Sequence, residues 1–242
     1  MAYALIDHTA AGSTDGNGVT TGAINTTGAD LLVAVISDYS AGGGVSFSDS
    51  KGNTWALLTQ YNDGVAARVQ IAYVKSPSVG SGHTFTATNA FTFPSVCVAA
   101  FSGSDLSAPF DQQNGASNSS TTSQQPGSVT PSANNELLIA GVSFNGAFSG
   151  LSVNSSFTSL DSAAYAGGAC LGSALGYKIQ TSAGAENPTW SWTGTAGAAA
   201  DIATFKAVSG GGGTDQPIEK RHGGVPFATA MQLRGGVRGG VW

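Results

Sequence analysis

The sequence predicts an all-β protein built from a tandem duplicated antiparallel β-sandwich with a flexible, glycine-rich C-terminal arm. The run at 30–37 (Asp-Leu-Leu-Val-Ala-Val-Ile-Ser) returns at 136–143 (Glu-Leu-Leu-Ile-Ala-Gly-Val-Ser). Short apolar runs recur between clusters of Gly, Asn, Asp and Ser, which is typical of sandwiches. No segment has the 3.6-residue apolar period of a helix. Either a jelly-roll or an immunoglobulin-like topology fits this pattern.

The repeat continues beyond its first strand at a nearly constant offset. The first run returns after 106 residues, and the later matches return after 104 or 105: 71–75 with 175–178, 84–88 with 189–193, and 98–101 with 202–205. Two copies are too few for a solenoid. We therefore expect two similar domains, or two halves of one pseudo-symmetric sandwich, with residues 133–209 repeating 27–103. The predicted division is unit 1 at 1–103, a linker segment at 104–132, unit 2 at 133–209 and the arm at 210–242.

The strands follow from apolar runs and turn residues taken in chain order. Two strands are expected within 1–26. Val69, Ile71 and Tyr73 share one strand face while Gln70 and Lys75 mark polar positions, as in a half-buried antiparallel strand. Turns at 49–53 and 62–64 suit the positive φ that Gly, Asn and Asp tolerate. The predicted strands are 31–39, 45–48, 54–61, 66–75, 83–88, 95–102, 137–144, two near 151–160, 169–179, 189–193 and 201–207. Strands 54–61 and 66–75 should form a hairpin, and 104–132 is either a flexible linker or extended chain along a sheet edge.

Charge and composition exclude several classes of protein. The 242 residues carry a net charge of −5, and only 10% are charged, against about 25% in typical domains. A net acidic chain argues against a nucleic-acid partner. No apolar run approaches the ~20 residues of a membrane span, and the N-terminus has no secretory pattern. Cys97 and Cys170 are either buried free thiols or a disulfide, with free thiols favoured.

The sequence contains few residues that could form a catalytic, metal-binding or ligand-binding site. The histidines are His8, His83 and His222, and His83 is expected to be exposed at the start of a strand. No metal-binding Cys/His cluster or nucleophile elbow occurs, so we predict no catalytic residue, no metal and no cofactor. The segments 15–17 and 49–53 are interpreted as ordinary turns, and calcium binding by these segments is the alternative. Trp190 and Trp192 share one strand face, and they either fill the core or form a ring platform for a ligand.

The C-terminal segment differs from the rest in charge. From Gly210 onward it holds four basic and two acidic residues, whereas 1–209 holds five basic and twelve acidic residues, so the charges are +2 and −7. Four glycines at 210–213 predict a hinge. Apolar anchors and arginines beyond it suit a segment that binds a partner; the alternative is a terminus that binds nothing. The predicted partner-binding residues are Arg221, His222, Phe227, Met231, Leu233, Arg234, Arg238 and Trp242.

Several motifs carry a resemblance to known proteins: Gly-Ala-Asp-Leu-Leu-Val-Ala-Val at 28–35, Asp-Ser-Lys-Gly-Asn-Thr-Trp at 49–55, Val-Thr-Pro-Ser-Ala-Asn-Asn-Glu-Leu-Leu-Ile at 129–139 and Asn-Pro-Thr-Trp-Ser-Trp at 187–192. Together they resemble tandem β-sandwich proteins of phages and bacteria, over about residues 20–208. The tail at 222–242 looks like the C-termini of small phage virion structural proteins. The resemblance implies no catalytic residue.

The resemblance implies a phage virion structural protein, most plausibly a capsid decoration (cement) protein attached or cross-linked through its arm. The implied partner is the major capsid protein or another virion protein, with a homo-oligomer on the particle, no nucleic acid and no membrane. Such a protein would assemble in the host cytoplasm and reside in the virion. The alternative hypothesis is a carbohydrate-binding or host-attachment module that uses Trp190 and Trp192 to bind a glycan.

Overall fold

The computed structural model describes residues 2–208, which belong to one compact unit. This part of the chain contains no helix, and its paired strands are antiparallel throughout. The prediction of an all-β antiparallel fold is confirmed. Residues 2–208 contain no helix that could span a membrane.

The strands are numbered in chain order. They are β1 Ala4–Gly12, β2 Gly18–Thr20, β3 Leu31–Tyr39, β4 Ser46–Asp49, β5 Ala56–Leu57, β6 Tyr61–Asn62, β7 Ala67–Lys75, β8 Phe85–Thr88, β9 Ser95–Ser102, β10 Phe110–Gln124, β11 Leu137–Asn145, β12 Ser149–Val153, β13 Thr158–Ala163, β14 Gly172–Ile179 and β15 Trp190–Phe205.

Two large sheets share one strand order. The first runs β1-β9-β3-β7-β5, with β6 also paired to β7, and the second runs β10-β15-β11-β14-β13, with β12 also paired to β15. A smaller sheet has the order β2-β8-β4. The repeated apolar runs form the central strands β3 and β11. Because both faces of these strands are covered, their sequences are continuously apolar rather than alternating.

Three apolar clusters separate the layers. Leu31, Val33 and Val35 point toward the second sheet and pack with Leu137 and Ile139 in the cluster between the two large sheets. The alternate residues of β3 (Leu32, Ala34 and Ile36) pack under the small sheet. The third cluster lies on the outer face of the second sheet, around its buried indoles. Because side chains alternate between the two faces of a strand, the single apolar run of β3 contributes to two separate hydrophobic clusters.

The two large sheets contact each other through positions 106 residues apart. The Ser37 and Ser143 hydroxyls lie 2.5 Å apart and are fully buried. Beside them, Gly141 faces Val35 so closely that a Cβ at position 141 would lie 2.8 Å from a Val35 methyl carbon. The glycine in the middle of β11 is therefore required by the close approach of the sheets.

Several boundaries differ from the predicted ones. The strand expected at 54–61 is interrupted and forms β5 and β6, and the strands expected at 189–193 and 201–207 are parts of one strand, β15. The segment expected to link the units contains β10, which lies at the edge of the second sheet. That sheet therefore begins at Phe110. β15 continues through 193–199, a stretch made of Thr, Gly and Ala.

Candidate functional site

The predicted partner-binding residues of the arm, from Arg221 to Trp242, lie outside the residues that the structure describes. Trp190 and Trp192 are 0% and 6% exposed, and both pack in the cluster on the outer face of the second sheet. Trp192 makes an edge-to-face contact with Phe144, with ring centroids 4.7 Å apart. Neither ring face is open to solvent, so the alternative prediction of a ring platform has no accessible surface at these two positions.

His83 was predicted to be exposed, and this is wrong. Its side chain is fully buried, with Nδ1 2.9 Å from Thr26 Oγ1 and Nε2 3.2 Å from Asp49 Oδ1. The ring also stacks on Phe85, with centroids 4.4 Å apart. The sequence pattern around position 83 missed this burial because the segment before β8 is covered by the loop at 24–26, which is distant in the chain. An Ile24–His83 backbone bridge holds that loop in place.

The Asp49, His83 and Thr26 side chains are arranged in the acid–histidine–hydroxyl order of a catalytic triad, but the hydroxyl is not accessible to a substrate. The Thr26 hydroxyl bonds the backbone of Gly80 and is fully buried, so no substrate carbonyl can reach it. Burial, the largest influence, acts to raise the pKa of Asp49, but hydrogen bonds from Lys51 N–H, Trp55 Nε1 and other donors together lower it. We interpret the contacts from Asp49 through His83 to Thr26 as structural, because they connect loops that are distant in the sequence.

The two turns considered for calcium use their carboxylates internally. Asp49 Oδ1 accepts from the backbone of Lys51 and from Asn53, and Asp15 Oδ1 accepts from the backbone of Asn17 at 2.9 Å. These are ordinary carboxylate-capped turns. Within residues 2–208 no group of three or more His, Cys, Asp or Glu side chains could hold a metal ion. Cys97 and Cys170 are buried free thiols, and burial raises the pKa of Cys97 to about 12.

A buried acid lies between the two large sheets. Asp201 is 2% exposed, and neither carboxyl oxygen has a hydrogen-bond partner within the described residues. It pairs with Gly141 across the strands, and a side chain at position 141 would collide with its carboxyl group. Burial raises the pKa of Asp201 to about 8, and the nearby backbone of Ile71 and Gly141 offsets this only in part. The carboxyl group is therefore protonated in the folded protein at neutral pH.

A second buried acid is paired with a cation. Asp38 and Arg68 face each other on β3 and β7, and Arg68 donates from Nε and Nη2 to the two carboxylate oxygens at 2.6 and 2.5 Å. Their side chains are only 5% and 8% exposed. A further pair, His8 and Asp161, joins β1 to β13 with Nδ1 2.6 Å from Oδ2. Both pairs connect strands; the Asp38–Arg68 pair is buried, whereas the His8 side chain is 38% exposed.

The most site-like feature is a cavity at one end of the two large sheets, which we call the loop-end cavity. Its volume is about 160 Å³, and both sheets contribute to it. Its aromatic walls are Tyr39, Phe93 and Tyr165, and Asn145 supplies a side-chain amide. The remaining lining residues are Ala66, Ala166, Gly168, Cys170 and Leu171. None of the nine carries a charge.

Backbone hydrogen bonds hold the walls of this cavity. Phe93 donates its N–H to Gly16 O at 3.0 Å and accepts from Leu171 N–H at 2.9 Å. Its φ is +48°, and that of nearby Phe91 is +57°. A bulky residue in this region is strained by roughly 1–3 kcal/mol. The strain at Phe93 persists because its backbone hydrogen bonds connect it to both Gly16 and Leu171. Phe91, in the same loop, has 73% of its surface exposed.

Sequence reasoning did not identify the loop-end cavity. Its residues come from five loops or strand ends that are far apart in the chain. The one local signal was the run Phe91-Thr92-Phe93-Pro94 between two strands, since aromatic residues are unusual in a turn. A second depression of about 380 Å³ lies beside Lys75, between the loop at 52–56 and Ser78; Lys75 Nζ there donates to Ser107 O.

No protein-family model, curated protein or solved structure matches this chain. The site must therefore be interpreted from its geometry. Among the described residues, several groups capable of acid–base or nucleophilic chemistry are engaged in structural contacts, although the His8–Asp161 pair is partly exposed. The loop-end cavity offers rings, phenol groups, an amide and the Cys170 thiol.

Proposed function

We propose that the protein is a phage virion structural component, a capsid decoration or cement protein that attaches to the particle through residues 210–242. Its partner is the major capsid protein or another virion protein, and several copies associate on the particle. The observation that carries the proposal is the charge difference between the −7 of residues 1–209 and the +2 of 210–242, joined by four consecutive glycines. A basic segment with spaced apolar side chains suits docking on an acidic protein surface.

The body has properties that suit a particle surface. Its three buried clusters produce a densely packed structure, and its ionisable groups mostly connect strands or cap turns. The open edge strand β10 carries Ser, Thr, Asn and Gln with Asp111 as its one charged residue. A surface of hydroxyl and amide groups resists nonspecific attraction to charged molecules.

We also propose that the body arose by tandem duplication, with a pseudo-twofold axis between its large sheets. The shared strand order supports this, and so do the contacts Ser37–Ser143 and Val35–Gly141, in which positions 106 residues apart meet each other. In an isologous contact the same patch meets itself. The second unit then starts with β10, the counterpart of β1 in strand order, and includes most of the segment predicted as a linker.

The attachment role is tested by co-sedimentation with capsids purified from the phage or induced prophage whose genome carries the coding sequence. The full chain is expected to pellet with capsids, and a chain lacking 214–242 is expected to stay in the supernatant while keeping the β-sheet circular dichroism of the full chain. Equal pelleting of both chains would overturn attachment through this segment. Failure of both chains to pellet would overturn the virion role.

A matched set of variants separates charge from side-chain shape. Changing Arg221, Arg234 and Arg238 together to glutamine is expected to weaken capsid binding at least tenfold, and changing them together to lysine should retain most of it, because lysine preserves the charge. Each rim charge at such an interface contributes modestly, so the triple change is needed. Binding that is insensitive to both sets would assign attachment to the apolar side chains alone.

A further inference from the structure

We propose that the loop-end cavity is a binding site for an uncharged six-membered ring with a polar edge, namely a pyranose unit of a neutral glycan. The cavity is distinct from the buried Trp190 and Trp192. This inference is independent of capsid attachment, because it concerns only residues of the described body. A glycan site on a virion surface protein would give it a second role, contact with a polysaccharide-coated surface.

The size of the cavity sets the size of the ligand. Its volume is about 160 Å³, and a protein cavity of about 150 Å³ accommodates one benzene molecule. One unsubstituted six-membered ring therefore fills it, and because a hexopyranose is larger than benzene by its hydroxyl substituents, the ring of the sugar enters while its outer hydroxyls lie at the mouth. Typical pockets for drug-sized molecules are about 300–1,000 Å³, so the cavity holds a single ring, with the rest of a longer ligand outside.

The lining sets the charge of the ligand. None of the nine lining residues is charged. An ionic ligand would lose its hydration without gaining a partner, which is strongly unfavourable. Asp38 is the chain neighbour of the lining residue Tyr39, and both of its carboxylate oxygens already accept hydrogen bonds from Arg68. Acidic sugars and phosphorylated compounds are therefore excluded, and neutral ones remain.

The same lining favours a sugar over a purely apolar ring. Tyr39 and Phe93 pack edge to face with centroids 6.0 Å apart, and Tyr165 adds a third ring. Aromatic rings bind the apolar C–H face of a pyranose, while polar groups bind its hydroxyls. The Asn145 amide and the Tyr39 and Tyr165 hydroxyls make no hydrogen bond to any residue in 2–208, so they are available to such hydroxyls.

The exposed Phe91 extends the site beyond one ring. It lies two residues from Phe93 in the same strained loop and exposes 73% of its surface. Large exposed apolar side chains are few on the described body, and the others are Leu57, Val65 and Leu106. Val65 directly precedes the lining residue Ala66, so two of the four belong to segments that form the cavity. Phe91 is placed to stack on a second sugar unit outside it.

The experiment uses the full-length protein on an array of neutral and acidic glycans, followed by saturation-transfer NMR with the neutral monosaccharides of any bound glycan. Neutral glycans should bind and sialylated or sulfated ones should not. Tyr165→Ala and Phe91→Ser should each weaken binding about tenfold, which corresponds to about 1.4 kcal/mol. Leu106→Ser is the matched control, since it also removes an exposed apolar side chain (54% exposed) that lies outside the lining of the cavity.

Three results would overturn the inference. The first is binding of no neutral glycan on the array. The second is glycan binding that Tyr165→Ala and Phe91→Ser leave unchanged, which would move the site elsewhere. The third is a cavity that takes indole or benzene in NMR titrations but no monosaccharide, which would identify it as a receptor for an apolar side chain of a partner protein. Because Phe91 is exposed, Phe91→Ser is expected to fold normally and keeps the test informative if Tyr165→Ala is unstable.

Discussion

Replacing Asp201 with asparagine is expected to remove the largest part of a fall in stability that the wild-type protein undergoes as the pH rises from about 4 to about 8. Burial raises the pKa of Asp201 from its ordinary 3.8 to about 8. Its carboxyl group lies between the large sheets near Val35, Ile71 and Gly141, none of which is titratable. The neutral acid is tolerated there, whereas the ionised one has no partner to compensate for its lost hydration.

The sign of the pH dependence of stability follows from the number of protons that the folded and unfolded states bind. Between the two pKa values the folded protein holds one proton more than the unfolded chain, so each unit of rising pH lowers the free energy of unfolding by about 1.4 kcal/mol. The stabilisation is fully present below pH 4 and is lost as the pH passes 8, with an upper bound of about 6 kcal/mol. Asparagine has the same shape and no such titration, so at pH 8–9 Asp201→Asn is expected to be more stable than wild type.

Urea unfolding at pH values from 4 to 9 measures this difference. Asp105→Asn provides a matched control, because Asp105 is partly exposed and hydrogen bonds from Ala108 and Ser107 lower its pKa. Its curve should follow wild type above pH 5. Parallel curves for wild type and Asp201→Asn over the whole range would show that Asp201 is ionised and solvated in the native protein, contrary to the structure.

Replacing Arg68 with methionine is expected to cost about 3–5 kcal/mol of stability at pH 7, the range observed when one partner of a buried ion pair is removed. Burial raises the pKa of Asp38, and the two hydrogen bonds from Arg68 offset only part of that effect. Without Arg68, the carboxylate is left at 4% exposure and must either stay charged without a partner or take up a proton. Both outcomes weaken the native state.

A double-mutant cycle tests this interpretation. Asp38→Leu combined with Arg68→Met should be less damaging than Arg68→Met alone, since an apolar pair removes the unsatisfied charge. Lys206→Met is the matched control: Lys206 pairs with Asp111 at 3.1 Å but is 36% exposed, so the change should cost less than about 1 kcal/mol. Strictly additive effects at Asp38 and Arg68 would mean that the pair contributes no coupling.

The central strands could be predicted closely from sequence. The expected strands 31–39 and 137–144 correspond to Leu31–Tyr39 and Leu137–Asn145, and 66–75 corresponds to Ala67–Lys75. These segments combine β-branched apolar runs with turn residues on both sides, so local preference and burial favour the same structure. Both β5 and β6 pair with β7, as the predicted hairpin of 54–61 with 66–75 requires. The interruption between β5 and β6 was missed because their residues are mostly exposed, and burial there does not reinforce a strand pattern.

The positions of the chemical groups were less accessible to sequence reasoning. Nothing local distinguishes the buried His83 from an exposed histidine, because its partners Thr26 and Asp49 come from 57 and 34 residues away in the chain. The same holds for the loop-end cavity, whose walls come from both large sheets. The predicted arm residues from Arg221 to Trp242 remain a prediction from sequence.

The sequence by itself determined the all-β antiparallel class, the central strands and the low charge of the body, because these depend on residue type, period and composition. The tertiary structure alone decided that Trp190 and Trp192 are core, that Asp201 is buried without a partner, and that three aromatic rings and an amide surround one cavity. The physical reason is that burial and ligand geometry depend on which distant segments come together. That is set by the packing of whole sheets, whereas strand formation is set largely by neighbours along the chain.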